Sequence, residues 1–413
     1  MEHKDFYRDA RPDRAGPLAG LRVLEATNYG AGPFCGMVLA DFGAESIKVE
    51  APAGDPIRVL SPFVGGQAGT EHSVWYLSIN RNKKGITLDL RQPRGQALFR
   101  RLAAQADIVV ENYTPGVMAS WGLGYADLAA LKADLIYVSV SGFGQFGPLS
   151  QRKGFDPVAQ AMSGLMSVTG EPDGRPLRAG FAFADDLSGW LGAMGAMAAL
   201  LHRNATGEGQ HVDSSLVDSL IYASDMGVMA AANAGHIWQR QGAGAEGAAP
   251  LNSYRTQDGR HVFIHGVFDK AWAALCAAME RGDLITDPRT ATVGARGEHK
   301  TLVDEVVASY AASHSVEEIV ERAERSGFVA SPILDFAQVG QEPHFRQRAS
   351  VAEVDHPVHG ALTLQGVSPK FSRTPAGVRH AAPTLGQHNA EIYGGLLGLD
   401  SAMLQTLHAD GII

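Results

Sequence analysis

The chain has 413 residues, 45% of them apolar and 19% charged, the balance of a soluble globular protein long enough for more than one core. A net charge of −9 speaks against nucleic acid as a partner, although a local basic patch can still serve a small anion. The two cysteines, Cys35 and Cys276, are too few for a disulfide framework or a metal cluster of their own, and no apolar run is long enough to span a membrane.

Residues 1–17 are polar and charged and read as a tail, without the apolar stretch of a signal peptide. A reducing cytoplasm is therefore the expected setting. Strand, glycine turn, helix and strand then follow at residues 21–25, Gly30 to Gly36, 37–42 and 46–50, a βαβ unit that implies a parallel sheet. The alternation recurs. Strands are expected at 85–90, 108–111 and 135–140, and helices at 95–106, 117–121 and 125–133.

Three stretches in this half invite a ligand. Gly30-x-Gly32-x-x-x-Gly36 imitates a dinucleotide fingerprint, but its spacing departs from GxGxxG and Pro33 removes one amide. Proline is also simply a good first-turn residue of a helix. Arg81, Lys83 and Lys84 concentrate charge before a strand, either for a phosphate or as a solvated loop. Glu111-Asn112-Tyr113 to Gly116 is a polar turn after a strand, where ligands of open α/β sheets sit.

After the loop Ser141 to Pro148, Gly154-Phe155-Asp156 and a helix at 157–166, the chain reaches Phe181-Ala-Phe-Ala-Asp185-Asp186. A helix rich in Ala, Leu and Met is expected directly behind it, at 187–202. A carboxylate at that junction meets unpaired backbone amides and the positive end of the helix dipole. One acid suffices as an N-cap, so the second has another role or faces solvent.

A short strand at 210–213, a helix at 215–232 and an Ala- and Gly-rich linker follow. The texture then changes to a hairpin turning at Asp258-Gly259 and helices at 270–279, 300–313 and 316–326. Paired strands are expected at 350–354 and 360–365, then an extended polar segment and a helical end. The division is a large domain from residues 1–225, a small one with its linkers from 226–330, and a C-terminal segment, 331–413, returning to the large domain.

Taken in order, Pro17-Leu-Ala-Gly-Leu-Arg-Val-Leu24, Ala31-Gly-Pro33, Leu39-Ala-Asp-Phe-Gly-Ala44, Gly54-Asp55, Asn82-Lys83-Lys84, Asn112, Pro115-Gly116, Thr206-Gly-Glu-Gly-Gln210, Ser372-Arg-Thr-Pro375 and Pro383-Thr-Leu-Gly-Gln-His388 cover nearly the whole chain. Together they resemble the class III coenzyme A transferases, the family of formyl-CoA transferase and carnitine CoA-transferase that also includes α-methylacyl-CoA racemase. The resemblance implies an α/β fold with a Rossmann-like parallel-sheet large domain, a smaller α+β domain, and two chains threaded as an interlocked-ring homodimer. It implies acyl-CoA and a small carboxylic acid as substrates, with no metal and no tightly bound cofactor. Coenzyme A is expected against Tyr29, Gly30, Ala31, Lys83, Lys84, Asn112, Tyr113 and Gly142.

The resemblance also makes Asp185 the nucleophile. Its carboxylate would attack a thioester carbonyl to give a mixed anhydride, then an aspartyl-CoA thioester, dividing one difficult exchange into easier steps. Asp186 beside it either holds the Asp185 pKa up or caps the helix. A racemase instead needs an acid–base pair, and the triplet that carries its histidine is Gly154-Phe155-Asp156 here. Phenylalanine carries no proton, so transferase is favoured over an isomerase, with Asp269 near an acidic racemase position. A CoA- or nucleotide-binding protein without chemistry is the remaining alternative. Relative to formyl-CoA transferase, Gly30 replaces a glutamine, Gly242-Ala-Gly-Ala-Glu-Gly247 stands nearest to the tetraglycine loop, and Ser120 and Ser141 occupy expected basic positions. Those departures point away from oxalate and formate, toward a small dicarboxylic or branched acid exchanged with succinyl-CoA or a similar donor.

Overall fold

A computed structural model of the chain describes residues 2–11 and 13–413. Strands β1 (Arg22–Ala26), β2 (Glu45–Glu50), β3 (Lys83–Thr87), β4 (Ile108–Glu111), β5 (Ile136–Ser141) and β6 (Gln210–Ser215) form one sheet in the order β3-β2-β1-β4-β5-β6. Every pairing in it is parallel, so each connection has to cross over the sheet. Helix α1 (Ala31–Asp41) joins β1 to β2, and α2 (Pro93–Ala103) joins β3 to β4. Helices α3 (Asp156–Met162) and α4 (Phe183–Thr206) lie between β5 and β6. Strand order reverses between β1 and β4, which makes the space beyond their carboxyl ends the natural ligand site.

Alternation along β1 divides its side chains between the two faces. Leu24 and Ala26 enter a core with Ile47, Ile86, Val109 and Tyr137, covered by Phe99 and Leu102 of α2. The chain's end completes this face: Ile392 and Tyr393 of α5 (Asn389–Leu397), Leu407 of α6 (Ser401–Ala409) and Ile412 belong to the same cluster. Backbone bonds tie the returning segment to β3 and its flanks, Asn82 N–H to His380 O at 2.9 Å and Asp89 N–H to Ile412 O at 2.8 Å. Arg58 Nη2 donates to Pro383 O at 3.1 Å. On the opposite face α1 and α4 pack together, and a Cβ on Gly189 of α4 would lie 2.9 Å from Ala31 O.

The chain divides into two compact units, one of residues 1–163, 180–225 and 342–413, the other of 164–179 and 226–341. The second holds the antiparallel strands β7 (Leu251–Arg255), β8 (His261–His265) and β9 (Val329–Pro332), with Trp272, Leu275, Val307 and Ile319 in its core. In the first unit, β10 (Val351–His356) and β11 (Gly360–Gln365) pair as a hairpin. Among the described residues no helix is long and apolar enough to cross a membrane, and no group of three or more His, Cys, Asp or Glu is arranged to hold a metal ion.

Local boundaries differ from the sequence reading at informative places. The third strand starts at Lys83 rather than 85, because Lys83 already pairs with Ser46 of β2. The helix expected over 215–232 is two, Leu216–Tyr222 and Gly227–Ala234, separated by a turn in which Asp225 takes a φ of 55°. The long helix begins at Phe183, four residues early, which changes what its two acids do.

Candidate active site

Asp185 and Asp186 lie inside the first turn of α4, behind an N-cap residue, Ala182, that makes no side-chain capping bond. The cap reading of the pair is thereby corrected. The free amide of Ala184 goes instead to Asp156, whose Oδ1 accepts it at 2.8 Å while Oδ2 accepts Gln160 Nε2 at 2.8 Å. Asp156 is buried and reaches α4 from α3. A helix N-terminus thus carries three carboxylates, with the capping role taken by the one outside the helix.

That arrangement sets the electrostatics. Burial, then the neighbouring charges of Asp156 and Asp186, pushes the Asp185 carboxyl up from 3.8 to about 7. Burial and Asp156 push Asp186 up to about 6. Ionised carboxylates so close repel one another, and partial burial removes the water that would screen them. The consequence is a carboxyl poised near neutral pH and an adjacent acid that titrates slightly below it.

Glycines explain how Asp185 comes so near the loop after β1. A Cβ on Gly30 would overlap Asp185 Oδ2 and stand 3.0 Å from its Cγ. One on Gly32 would meet Asn112 Cγ at 2.7 Å, and one on Gly36 would run into the Glu25 carboxyl. The glycine series that imitates a dinucleotide fingerprint is therefore accounted for by close packing of side chains upon it. Asn28 and Asn112 join the loops after β1 and β4 through paired bonds of 2.8 and 2.7 Å. Ala31 opens α1, buried against α4.

Tyr29, between these anchors, has a φ of 59°, which a non-glycine residue adopts only where its surroundings hold it. Its ring meets Phe155 edge to face at 6.0 Å. Phe155 is brought there because the backbones of Gly142 and Gly154 touch, a Cβ on Gly142 lying 2.8 Å from Gly154 Cα. Both aromatic rings are exposed, Phe155 by 56%. They present an apolar edge in the stretch that also supplies Asp156. At the end of β4, Tyr113 N–H donates to Glu111 Oε2 at 2.8 Å, and burial lifts the Glu111 carboxyl to about 7.

The structure does not bring the basic residues to this place. Lys83 is fully buried, and its Nζ donates to Glu25 Oε2 at 2.8 Å, Pro33 O at 2.6 Å and Asn80 Oδ1 at 3.1 Å. All three of its protons are spent inside the fold, which corrects the expectation of a phosphate contact. Lys84 pairs with Glu45 and Glu391, both at 2.7 Å, and Arg81 pairs with buried Asp41 at 2.7 Å. Lys84 lines a concavity of about 1160 Å3 with Arg22, Arg379 and His388 at the amino ends of the strands. Asp185 and Tyr29 are not among its walls. In the second unit, Asp269 is held by the buried Arg296 guanidinium at 2.7 Å. Ser120 and Ser141 make local bonds only, to Val117 O and from Gly144 N–H.

Sequence reasoning named Asp156, Phe155 and Asp55 only within motifs and missed what they do: Asp156 accepts Ala184 N–H, Phe155 neighbours Tyr29, and Asp55 Oδ1 accepts Tyr29 N–H at 3.1 Å. Asp55-Pro56 and Asp156-Pro157 carry a usable signal, an acid immediately before proline at the start of a helical turn.

The family model described as CoA-transferase family III matches residues 18–389. The chain is 41% identical to succinyl-CoA–D-citramalate CoA-transferase of Chloroflexus aurantiacus, over 96% of this chain and 98% of that one. It is 35% identical to the beta subunit of succinyl-CoA–L-malate CoA-transferase from the same organism, over 96% and 98% of the two chains. Among solved structures, a CAIB/BAIF family protein from Brucella suis superposes with a TM-score of 0.83 at 32% identity, covering 93% of this chain and all of that one.

Proposed function

This chain belongs to CoA-transferase family III, and from that premise we propose that it moves coenzyme A from succinyl-CoA to a small dicarboxylic acid through a covalent intermediate on Asp185. The relatives named for citramalate and malate support a dicarboxylic acceptor, with succinyl-CoA as donor. One observation carries the nucleophile: an acid held over Gly30 at the start of α4, lifted to about 7 by burial and then by two neighbouring carboxyls.

An Asp185 oxygen attacks the thioester carbonyl, and the C–S bond breaks to release CoA thiolate and leave a mixed anhydride. The thiolate then attacks the Asp185 carbonyl, expelling succinate and forming an aspartyl-CoA thioester. The acceptor's carboxylate attacks that thioester, the thiolate leaves again, and its attack on the acceptor carbonyl frees Asp185 and the new acyl-CoA. Each acylation of Asp185 removes one negative charge from a cluster of three, so the repulsion that raises its pKa also favours the covalent state. Phe155, with no proton to give, argues against isomerisation through an acid–base pair. Two chains assemble as a homodimer in this reading, which light scattering checks directly.

The decisive experiment is hydroxylamine trapping after incubation with succinyl-CoA, followed by peptide mapping. A hydroxamate on Asp185, absent from Asp185→Ala, supports the mechanism. No adduct with turnover intact refutes it.

A further inference from the structure

We propose that Lys48 and Asp55 form a buried strut that fixes the backbone at Tyr29 and thereby the seat of the Asp185 carboxyl, a proposal that rests on Asp185 being the nucleophile. Neither side chain of the pair is exposed, and Lys48 Nζ lies 2.9 Å from Asp55 Oδ2. A buried ion pair seldom stabilises a fold better than two apolar residues of like volume would. This pair binds backbone that apolar residues could not hold. Lys48 Nζ also donates to Thr27 O at 3.0 Å, and Asp55 Oδ1 accepts Tyr29 N–H and Ile57 N–H, each at 3.1 Å.

The strut has a footing. Asp55 N–H donates to Glu50 Oε2 at 2.9 Å, and Arg58 Nε donates to that same oxygen at 2.7 Å. Inside the fold the cations Lys48 and Arg58 face the anions Asp55 and Glu50, and Arg58 also pairs with Glu71 at 2.9 Å. From this block Lys48 and Asp55 reach the carbonyl of Thr27 and the amide of Tyr29, while Arg58 reaches Glu71, Tyr76 and the carbonyls of Thr70 and Pro383. The next residue is Gly30, where Asp185 Oδ2 occupies the space of a missing Cβ. Tyr29 keeps its left-handed φ of 59° because its amide is claimed by Asp55. With that bond gone, the peptide between Asn28 and Tyr29 is held only at its carbonyl, by Asn112, so Tyr29 can leave its left-handed φ and the carboxyl loses the surface it rests on. Lys48 and Asp55 are positioning residues: they act through the loop and touch no substrate.

Two double variants separate this role from simple stability. Lys48→Met with Asp55→Asn removes both charges but keeps an oxygen for Tyr29 N–H. Lys48→Met with Asp55→Leu removes both charges and the acceptor. With succinyl-CoA and a dicarboxylic acceptor, the first loses no more than about fivefold in kcat and the second at least about 50-fold, the scale of a misplaced reacting group. The second loses less in KM than in kcat. Equal kcat in the two folded proteins, or a loss confined to KM, overturns the proposal. Should the leucine variant fail to fold, amide hydrogen exchange in the wild type decides: a Tyr29 amide slowed at least about 100-fold supports the strut, and free exchange refutes it. Hydroxylamine mapping in the wild type is run alongside. No adduct at Asp185 with kcat still differing between the doubles would fell the nucleophile and leave the strut acting on the loop.

Discussion

Replacing the proposed nucleophile is expected to make the protein more stable, and by an amount the site itself supplies. In Asp185→Asn the shape is kept and the charge is lost. Burial and the two neighbouring acids move the Asp185 carboxyl from 3.8 to about 7, and at about 1.36 kcal/mol per pH unit that displacement costs the ionised form about 4 kcal/mol. Asp156 and Asp186 share in the repulsion, so the single replacement releases about 2–4 kcal/mol. The sign follows from proton linkage. A carboxyl whose folded pKa is raised binds its proton more tightly in the folded state, so wild-type stability falls as pH rises from about 4 to about 7. Above that window the whole cost is present, and below it both states are protonated. The advantage of the asparagine variant is therefore greatest at pH 8 and fades toward zero near pH 4. Thermal unfolding of the two proteins at pH 8, 6 and 4.5 reads this directly. A variant less stable than wild type at pH 8, or an advantage that does not shrink with acid, refutes the account of a strained charge at the start of α4.

Other perturbations have defined directions. Asp156→Asn keeps an oxygen for Ala184 N–H but removes a like charge, so the acid limb of kcat/KM moves down from about 7 by about one pH unit; an unchanged or raised limb in a pH–rate profile contradicts the cluster. Lys83→Met leaves Glu25 buried without its cation, a loss of about 3–5 kcal/mol in denaturant unfolding. Were Lys83 a phosphate ligand, the effect would fall on the KM for succinyl-CoA with stability kept. Gly36→Val drives a branched side chain into the Glu25 carboxyl and costs at least about 3 kcal/mol, whereas an unaltered melting temperature would show that α1 can shift on the sheet.

The parallel sheet was legible because β-rich runs at β1, β2, β4 and β5 alternate with helical stretches, a local pattern that survives in the fold. Asp185 was legible as well, since an acid pair before an uncharged apolar helix stands out from its neighbours. Pairings across the fold were not. Lys83 and Arg81 look like loop cations because their partners, Glu25 and Asp41, lie 58 and 40 residues earlier. A window around residue 83 shows only three basic residues in a row of polar ones. Asp156 escaped for the same reason, reaching an amide 28 residues ahead. Local periodicity predicts which elements form, but a buried charge is hidden from any window that lacks its counter-charge.

The return of the chain's end to the sheet has a consequence for how the protein is made. The face bearing Ile86, Val109 and Tyr137, covered in part by α2, is not completed until α5, α6 and Ile412 arrive, and these leave the ribosome well after β1 to β6. At cellular elongation rates of about 5–20 residues per second, β1 to β6 wait on the order of ten seconds or more with this face incomplete. Arg58, already buried among acids, waits as long for the carbonyl of Pro383. Synthesis therefore passes through a nascent chain that carries Asp185 but no finished core, a natural client for chaperones that shield apolar sheet. A stop codon in place of Asn389, which removes α5 and α6 together, should give an insoluble product rather than a weakened enzyme.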